Sequence, residues 1–243
     1  MYTTIKTSTI MADISTNISK IRQKIEAAAK RAKRDPSEII LLAATKDVPV
    51  DLIEKAIQKG ITYLGENRIQ EAKNKIEALK EKYPKVNWHF IGHLQRNKVK
   101  QALEIFDTIE SVDSRRLIEE IDKRAGEAGN KVNIFIEVNT GGEESKFGVR
   151  PEEAEEIISY ATGFKNIKVK GLMTVPPYSL KAEEVRPYFR KLKELGEKIK
   201  KLNIPGVAID YLSMGMTDDF EVAIEEGSNI IRVGRGIFEV EHK

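Results

Sequence analysis

Cysteine is absent from the 243-residue chain. No disulfide framework, thiolate nucleophile or cysteine metal site is therefore available. Histidine is scarce, with three in all. No apolar stretch approaches the roughly 20 residues of a membrane span. The polar, Thr/Ser-rich start from Met1 to Asn17 lacks the charged and apolar regions of a secretory signal. These absences fit a cytoplasmic protein. A large charge excess is also missing: 41 Lys+Arg stand against 38 Asp+Glu, for a net charge of +3. That balance argues against a broad nucleic-acid-binding face and leaves room for a local anion site. No Pro/Gly/Ser-rich linker divides the chain, so one domain over residues 13–243 is expected, preceded by a loose tail over 1–12 in which Met11 offers an alternative start.

What is present is a regular alternation. A first helix is expected from Ser15 to about Arg34, with Ile18, Ile21, Ile25 and Ala28 on one face and Asp35-Pro36 as its stop. Strand patterns follow at Ile39–Thr45, Ile61–Gly65, Val86–Gly92, Thr108–Val112, Val132–Asn139, Val169–Val175, Ala208–Met214 and Ile230–Val233. Helical patterns lie between them at Val50–Lys59, Arg68–Lys82, Lys98–Phe106, Ser114–Ala128, Pro151–Thr162, Lys181–Leu202 and Asp218–Glu226. Alternating strands and helices suit an open doubly wound sheet or a (β/α)8 TIM barrel, and eight units in this length match the barrel.

The first strand pattern, Ile-Ile-Leu-Leu-Ala-Ala-Thr-Lys, ends in Lys46. A lysine at the mouth of a buried strand can lose its proton near neutral pH and form a Schiff base with a carbonyl. A surface lysine just past the strand end is the alternative reading. In a barrel, function gathers at the C-terminal strand ends. Ser213-Met214-Gly215 and Gly234-Arg235-Gly236 follow the seventh and eighth strands, where barrels commonly bind phosphate through backbone N–H groups. The competing reading is that these glycines only turn tight loops. Too little chain follows Gly234–Gly236 for a dinucleotide fingerprint.

Other features have plainer readings. His89 and His93 lie on one strand about 13 Å apart and cannot share a metal ion; His89 reads as a packed barrel residue, and His93 sits at the strand end. Asp218-Asp219 reads as a capped helix start. Lys146 in the Gly/Glu loop Gly141–Lys146 reads as solvated. Trp88 and Phe90 read as packing against helices.

A Schiff-base lysine on the first strand, a phosphate cradle after the last two and Arg232 between them suit pyridoxal 5′-phosphate (PLP). The motifs Leu-Leu-Ala-Ala-Thr-Lys (41–46), Leu-Gly-Glu-Asn-Arg-Ile-Gln-Glu (64–71), Trp-His-Phe-Ile-Gly-His-Leu-Gln-Arg-Asn-Lys (88–98), Lys-Gly-Leu-Met-Thr (170–174), Leu-Ser-Met-Gly-Met-Thr-Asp-Asp (212–219) and Ile-Arg-Val-Gly-Arg-Gly-Ile-Phe (231–238) span nearly the whole chain. Together they resemble the YggS/PROSC family of PLP homeostasis proteins and, more distantly, the barrel domain of alanine racemase. The resemblance implies that Lys46 carries the cofactor, that Ser213, Gly234 and the backbone of Arg235 hold its phosphate, that Arg232 faces the pyridine nitrogen, and that Asn67 and His93 line the pocket. It implies a monomer or weak dimer that buffers PLP and supplies apo-enzymes. Many members carry Thr-Ala where this chain has Arg235-Gly236, so a hydroxyl contact to phosphate is missing here.

An arginine opposite the ring nitrogen only donates hydrogen bonds and favours a weaker electron sink than a carboxylate would. The resemblance also implies that alanine racemase takes its second base, a tyrosine, from an added β domain. The sequence ends a few residues after the eighth strand, and Tyr178 is the one tyrosine placed to stand in. A carrier is therefore expected. A PLP-dependent amino-acid racemase with an open site is the alternative, and a cofactor-free Schiff-base aldolase a third.

Overall fold

The computed structural model describes residues 2–239, with side chains from Ile14 onward. Eight parallel strands close into a barrel in sequence order: β1 (Ile40–Ala44), β2 (Tyr63–Glu66), β3 (Asn87–Phe90), β4 (Thr108–Val112), β5 (Val132–Glu137), β6 (Ile167–Met173), β7 (Val207–Ser213) and β8 (Ile230–Val233). The closed order excludes the open doubly wound sheet. Around it lie α1 (Tyr2–Arg31), α2 (Val50–Gln58), α3 (Ile69–Leu79), α4 (Val99–Leu103), α5 (Arg115–Glu127), α6 (Ala154–Ala161), α7 (Ala182–Lys201), α8 (Phe220–Glu225) and the short α9 (Arg235–Phe238).

Period-2 alternation divides each strand between two cores. Ala43, Leu64, Trp88, Phe90, Ile109 and Val233 face outward into the layer shared with the helices. Leu42, Phe135, Met173 and Ile230 meet inside the barrel. Burying a side chain such as Leu42 contributes roughly 1.5–3 kcal/mol, so these inward residues make the barrel a packed core rather than a channel. Trp88 and Phe90 are thus placed as expected, and His89 packs inside between the rings of Tyr63 and Phe135.

The helix α1 extends from Tyr2, earlier than the expected start at Ser15, and ends at Arg31. The Thr/Ser-rich beginning weakens helix propensity, and the apolar face marked by periodicity starts at Ile18. The expected tail over 1–12 falls on residues whose side chains lie outside the described set. Ile14, Ile18, Ile21, Ile25 and Ala28 are buried. Asn17 Nδ2 donates to the carbonyl of Ile237 at 3.2 Å, so α1 supports α9. Among the described residues no helix is long and apolar enough to cross a membrane.

The barrel closes by pairing β1 with β8 in the register Leu42↔Arg232 and Ala43↔Val233. That register brings Lys46, just past β1, beside the loop Gly234-Arg235-Gly236 just past β8. Residues almost 190 positions apart in sequence become neighbours by strand pairing alone.

Candidate functional site

A cavity of about 350 Å³ opens at the C-terminal end of the barrel, within the roughly 300–1,000 Å³ usual for small-molecule sites. Lys46, Arg232, Gly234 and Arg235 line it, joined by Lys146, Tyr178, Thr217, Asp218 and Asp219. Four cations face two carboxylates, so the cavity favours an anion. Lys46 itself is exposed, on a turn after β1. The expectation of a poorly hydrated lysine is therefore not met: the turn carries the side chain out of the buried strand. Among the described residues its amine has no hydrogen-bond or ion-pair partner.

Two loops form the wall opposite Lys46. Gly215 has φ +93, a left-handed conformation suited to glycine, and a Cβ there would lie 2.5 Å from that of Ala223. Gly234 lies so close to β1 that a Cβ would sit 3.1 Å from the carbonyl oxygen of Ala44. In the first turn of α9 the Ile237 amide bonds back to the Gly234 carbonyl at 3.0 Å, the Gly236 amide reaches Thr217 Oγ1 at 3.4 Å, and the Arg235 amide has no acceptor among the described residues. Thr217 supplies a hydroxyl in this wall. The Arg235 side chain instead donates to Asp218 Oδ2 at 2.5 Å.

Arg232 is held from below. Its NH1 donates to Ser213 Oγ at 2.7 Å and its NH2 to the carbonyl of Thr174 at 2.8 Å. Ser213 Oγ in turn donates to Glu110 Oε2 at 2.5 Å. His89 Nδ1 lies 2.5 Å from Glu110 Oε1; the carboxylate accepts, so Nδ1 carries the hydrogen. Ser213 is fully buried in this chain of bonds. Its side chain, expected beside a phosphate, bonds to Glu110 and Arg232 in the barrel interior.

Burial lowers the Arg232 pKa from the ordinary arginine value, and Glu110, Asp219 and Glu137 oppose that shift. Burial also pushes up the carboxyl of Glu110, but the bond from His89, the charge of Arg232 and the Ser213 hydroxyl hold it below the usual range. Glu137 has no such partner. Burial, then repulsion from Asp113 and Glu110, push it up to about 7 against the pull of Arg232.

Asn67 and His93 line a different, adjoining cavity of about 330 Å³ between the loops after β2 and β3. His93 stacks on Phe147 with ring centroids 3.7 Å apart and lies 3.6 Å from Asp113. The structure thus groups Lys46, Arg232, Gly234 and Arg235, and sets Asn67 and His93 to one side. A larger cavity of about 390 Å³ lies beside α1 at the N-terminal ends of β1 and β2. It lies at the end of the barrel opposite the strand C-termini, where barrel sites are built.

Three residues of the site escaped sequence reasoning. Lys146, read as solvated, donates to the carbonyl of Pro176 at 2.8 Å and lines the cavity. Thr217 sits two residues beyond Gly215, a position strand-end counting passes over. Asp219 stands at the N-cap of α8 but makes no capping bond; its Oδ1 accepts from the Met216 amide at 2.5 Å, so it shapes the loop rather than the helix start.

Known proteins share this arrangement of chain. Residues 16–241 match the alanine racemase N-terminal domain family. A protein of Aquifex aeolicus named pyridoxal phosphate homeostasis protein is 46% identical over 221 residues, 91% of this chain and 95% of that protein. Its namesake in Escherichia coli K12 is 35% identical over 229 residues, covering 94% and 97%. The solved structure of PipY from Synechococcus elongatus PCC7942 with PLP bound superposes with a TM-score of 0.80 at 30% identity, over 93% of this chain and all of that one. Alanine racemase of Clostridium difficile, at 13% identity and a TM-score of 0.72 over 96% of this chain and 58% of its own, shares the fold. The chain belongs to the pyridoxal phosphate homeostasis protein family, built on the barrel of the alanine racemase N-terminal domain.

Proposed function

We propose that this protein holds PLP reversibly and covalently through the amine of Lys46, and so buffers the free aldehyde and supplies it to apo-enzymes that need it. The observation that carries the reading is one cavity lined by an unpaired lysine, Arg232 and the glycine-containing loop after β8. The residues fit the group. Lys46 supplies a nucleophilic amine. The Arg235 and Gly236 amides of α9, with Thr217, supply donors for a phosphate, and the close approach of Gly234 to β1 keeps side-chain bulk out of that corner. Thr217 offers the hydroxyl that Arg235, turned to Asp218, does not replace. Arg232, fixed by Ser213 and Thr174, presents donors and no acceptor to a ring nitrogen. Ser213 supports Arg232 in this reading. Asn67 and His93 border the neighbouring cavity and act at the margin of the site.

When bound, PLP supplies an aldehyde for amines and an electron-withdrawing ring. Arg232 cannot take up a proton from that ring or keep its nitrogen protonated, which restrains carbanion chemistry. The relatives named for PLP homeostasis and the PLP-bound PipY structure support the same reading.

Racemisation stands second, because Tyr178 lines the same cavity as Lys46 and offers a group for a second face. The two separate cleanly. A carrier gains visible absorbance with PLP, loses it in Lys46→Ala, and exchanges no α-proton of any amino acid with deuterated solvent. Steady exchange at enzymatic rates, reduced in Tyr178→Phe, replaces the carrier with the racemase. A wild-type chain that stays colourless with added PLP contradicts both.

A further inference from the structure

Lys75 lies on α3 and is only 5% exposed. A buried ammonium is rare unless its donors are satisfied. Lys75 Nζ donates to the carbonyl of Thr45 at 2.5 Å, to Glu66 Oε1 at 2.8 Å, and to Glu71 Oε1. Glu71 Oε1 also accepts from the backbone amide of Asp47 at 2.7 Å. Thr45 and Asp47 are the two chain neighbours of Lys46. The carbonyl on one side of Lys46 is thus held by Lys75, and the amide on the other by Glu71, the ion-pair partner of Lys75. Asp47 has φ +58, a left-handed conformation that Asp adopts more readily than most non-glycine residues and that suits the tight turn after β1.

A simple stabilising ion pair needs no backbone partner. Here two of the bonds go to the turn that carries Lys46, and Glu66 ties the same cluster to β2 through the Thr45 hydroxyl at 2.6 Å. We propose that Lys75 and Glu71 are positioning residues: they fix the peptide on both sides of Lys46 and so set where its amine meets a carbonyl ligand. The proposal rests on the covalent role given to Lys46 above.

Two variants test it. Glu71→Ala removes the acceptor at Asp47 from a residue that is partly exposed. Lys75→Met combined with Glu66→Gln removes both charges of the fully buried pair and leaves only Glu71, which is partly exposed, without its cation. Amide hydrogen exchange in the ligand-free protein reads the turn, and borohydride trapping of added PLP on Lys46, followed across pH, reads the amine. The Asp47 amide should exchange about tenfold faster in Glu71→Ala, with the Leu42 amide of β1 unchanged. Glu71→Gln, which keeps an oxygen acceptor, should restore protection. In Glu71→Ala and in the double variant, trapping should slow by about fivefold or more and its pH midpoint should move. Wild-type exchange at Asp47 in Glu71→Ala overturns the proposal, and so does trapping with wild-type rate and pH midpoint in both variants. Failure of the wild-type chain to trap PLP on Lys46 contradicts the covalent reading instead, and hydrogen exchange then decides whether the clamp orders the turn.

Discussion

Glu137 has an ionisation strongly displaced by the barrel interior. Its carboxyl is pushed up to about 7 from an ordinary 4.5, chiefly by burial. Between those values the folded chain holds a proton that the unfolded chain releases. Its contribution to stability is full below about pH 4.5 and is lost as pH rises through about 7. Glu137→Gln keeps the neutral shape at every pH. Urea melts should show the variant level with wild type at pH 4 and more stable at pH 8.5 by on the order of 3 kcal/mol. An equal gap at both pH values contradicts this. Arg232 is the counterpart: it meets Ser213, Thr174 and the Glu110 charge at once, so it stays charged despite burial. Lys46, Arg232 and Gly234 were legible from the sequence because strand ends carry barrel function and these residues stand there. Glu110 and Lys75 were not, nor was the bond that ties Ser213 to Arg232. The Ser213–Glu110 bond spans 103 residues of sequence. Lys75, for its part, sits among exposed lysines of an ordinary-looking helix. Inward polar groups become tolerable only when cross-strand partners meet, and no local pattern announces that.

At the scale of elements, α1, α7 and α8 of the outer layer are tied by charge as well as by apolar packing. Arg186 on α7 donates to Glu183 at 2.7 Å, to Glu225 of α8 at 2.6 Å and to Glu226 beyond it at 2.9 Å. Glu225 is shared with Arg31 of α1 at 2.6 Å. These carboxylates raise the Arg186 pKa still further above its ordinary value, Glu183 first. A shared set of this kind outweighs an isolated surface pair. Arg186→Met keeps the stem and removes the charge, and should cost about 1–2 kcal/mol, a fall in Tm of roughly 2–8 °C for a chain of this size. The difference should shrink in 1 M salt, where the screening length falls to about 3 Å. A thermal melt that is unchanged at low salt contradicts the tie. The positions of β4 and β8 were legible to the residue, where apolar runs begin and end, whereas the ends of the other strands lie up to two residues from those expected. The early part of α1, weakened by its Thr/Ser-rich composition, and the short α9 were not legible.

At the scale of the molecule, closure decides the site. β1 meets β8 only because the sheet closes, and that single pairing sets the lysine against the Gly-rich loop. An open sheet of the same strands would hold them at opposite edges. Closure also removes sheet edges, so the barrel needs no partner to cover one. The alternation of strands and helices made the barrel legible, and the motif order along the chain made its family legible. The polar interior depends on which inward side chains meet across the barrel, which strand order alone leaves open. The central claim, that Lys46 takes the cofactor, has a direct test. The purified chain is mixed with PLP, its visible spectrum is recorded, and borohydride is added before peptide mapping. The account predicts that the visible band disappears on reduction and that the label lies on the peptide containing Lys46, with Arg232 and Gly234 unmodified. A label spread over exposed lysines, or found on a single lysine other than Lys46, contradicts it.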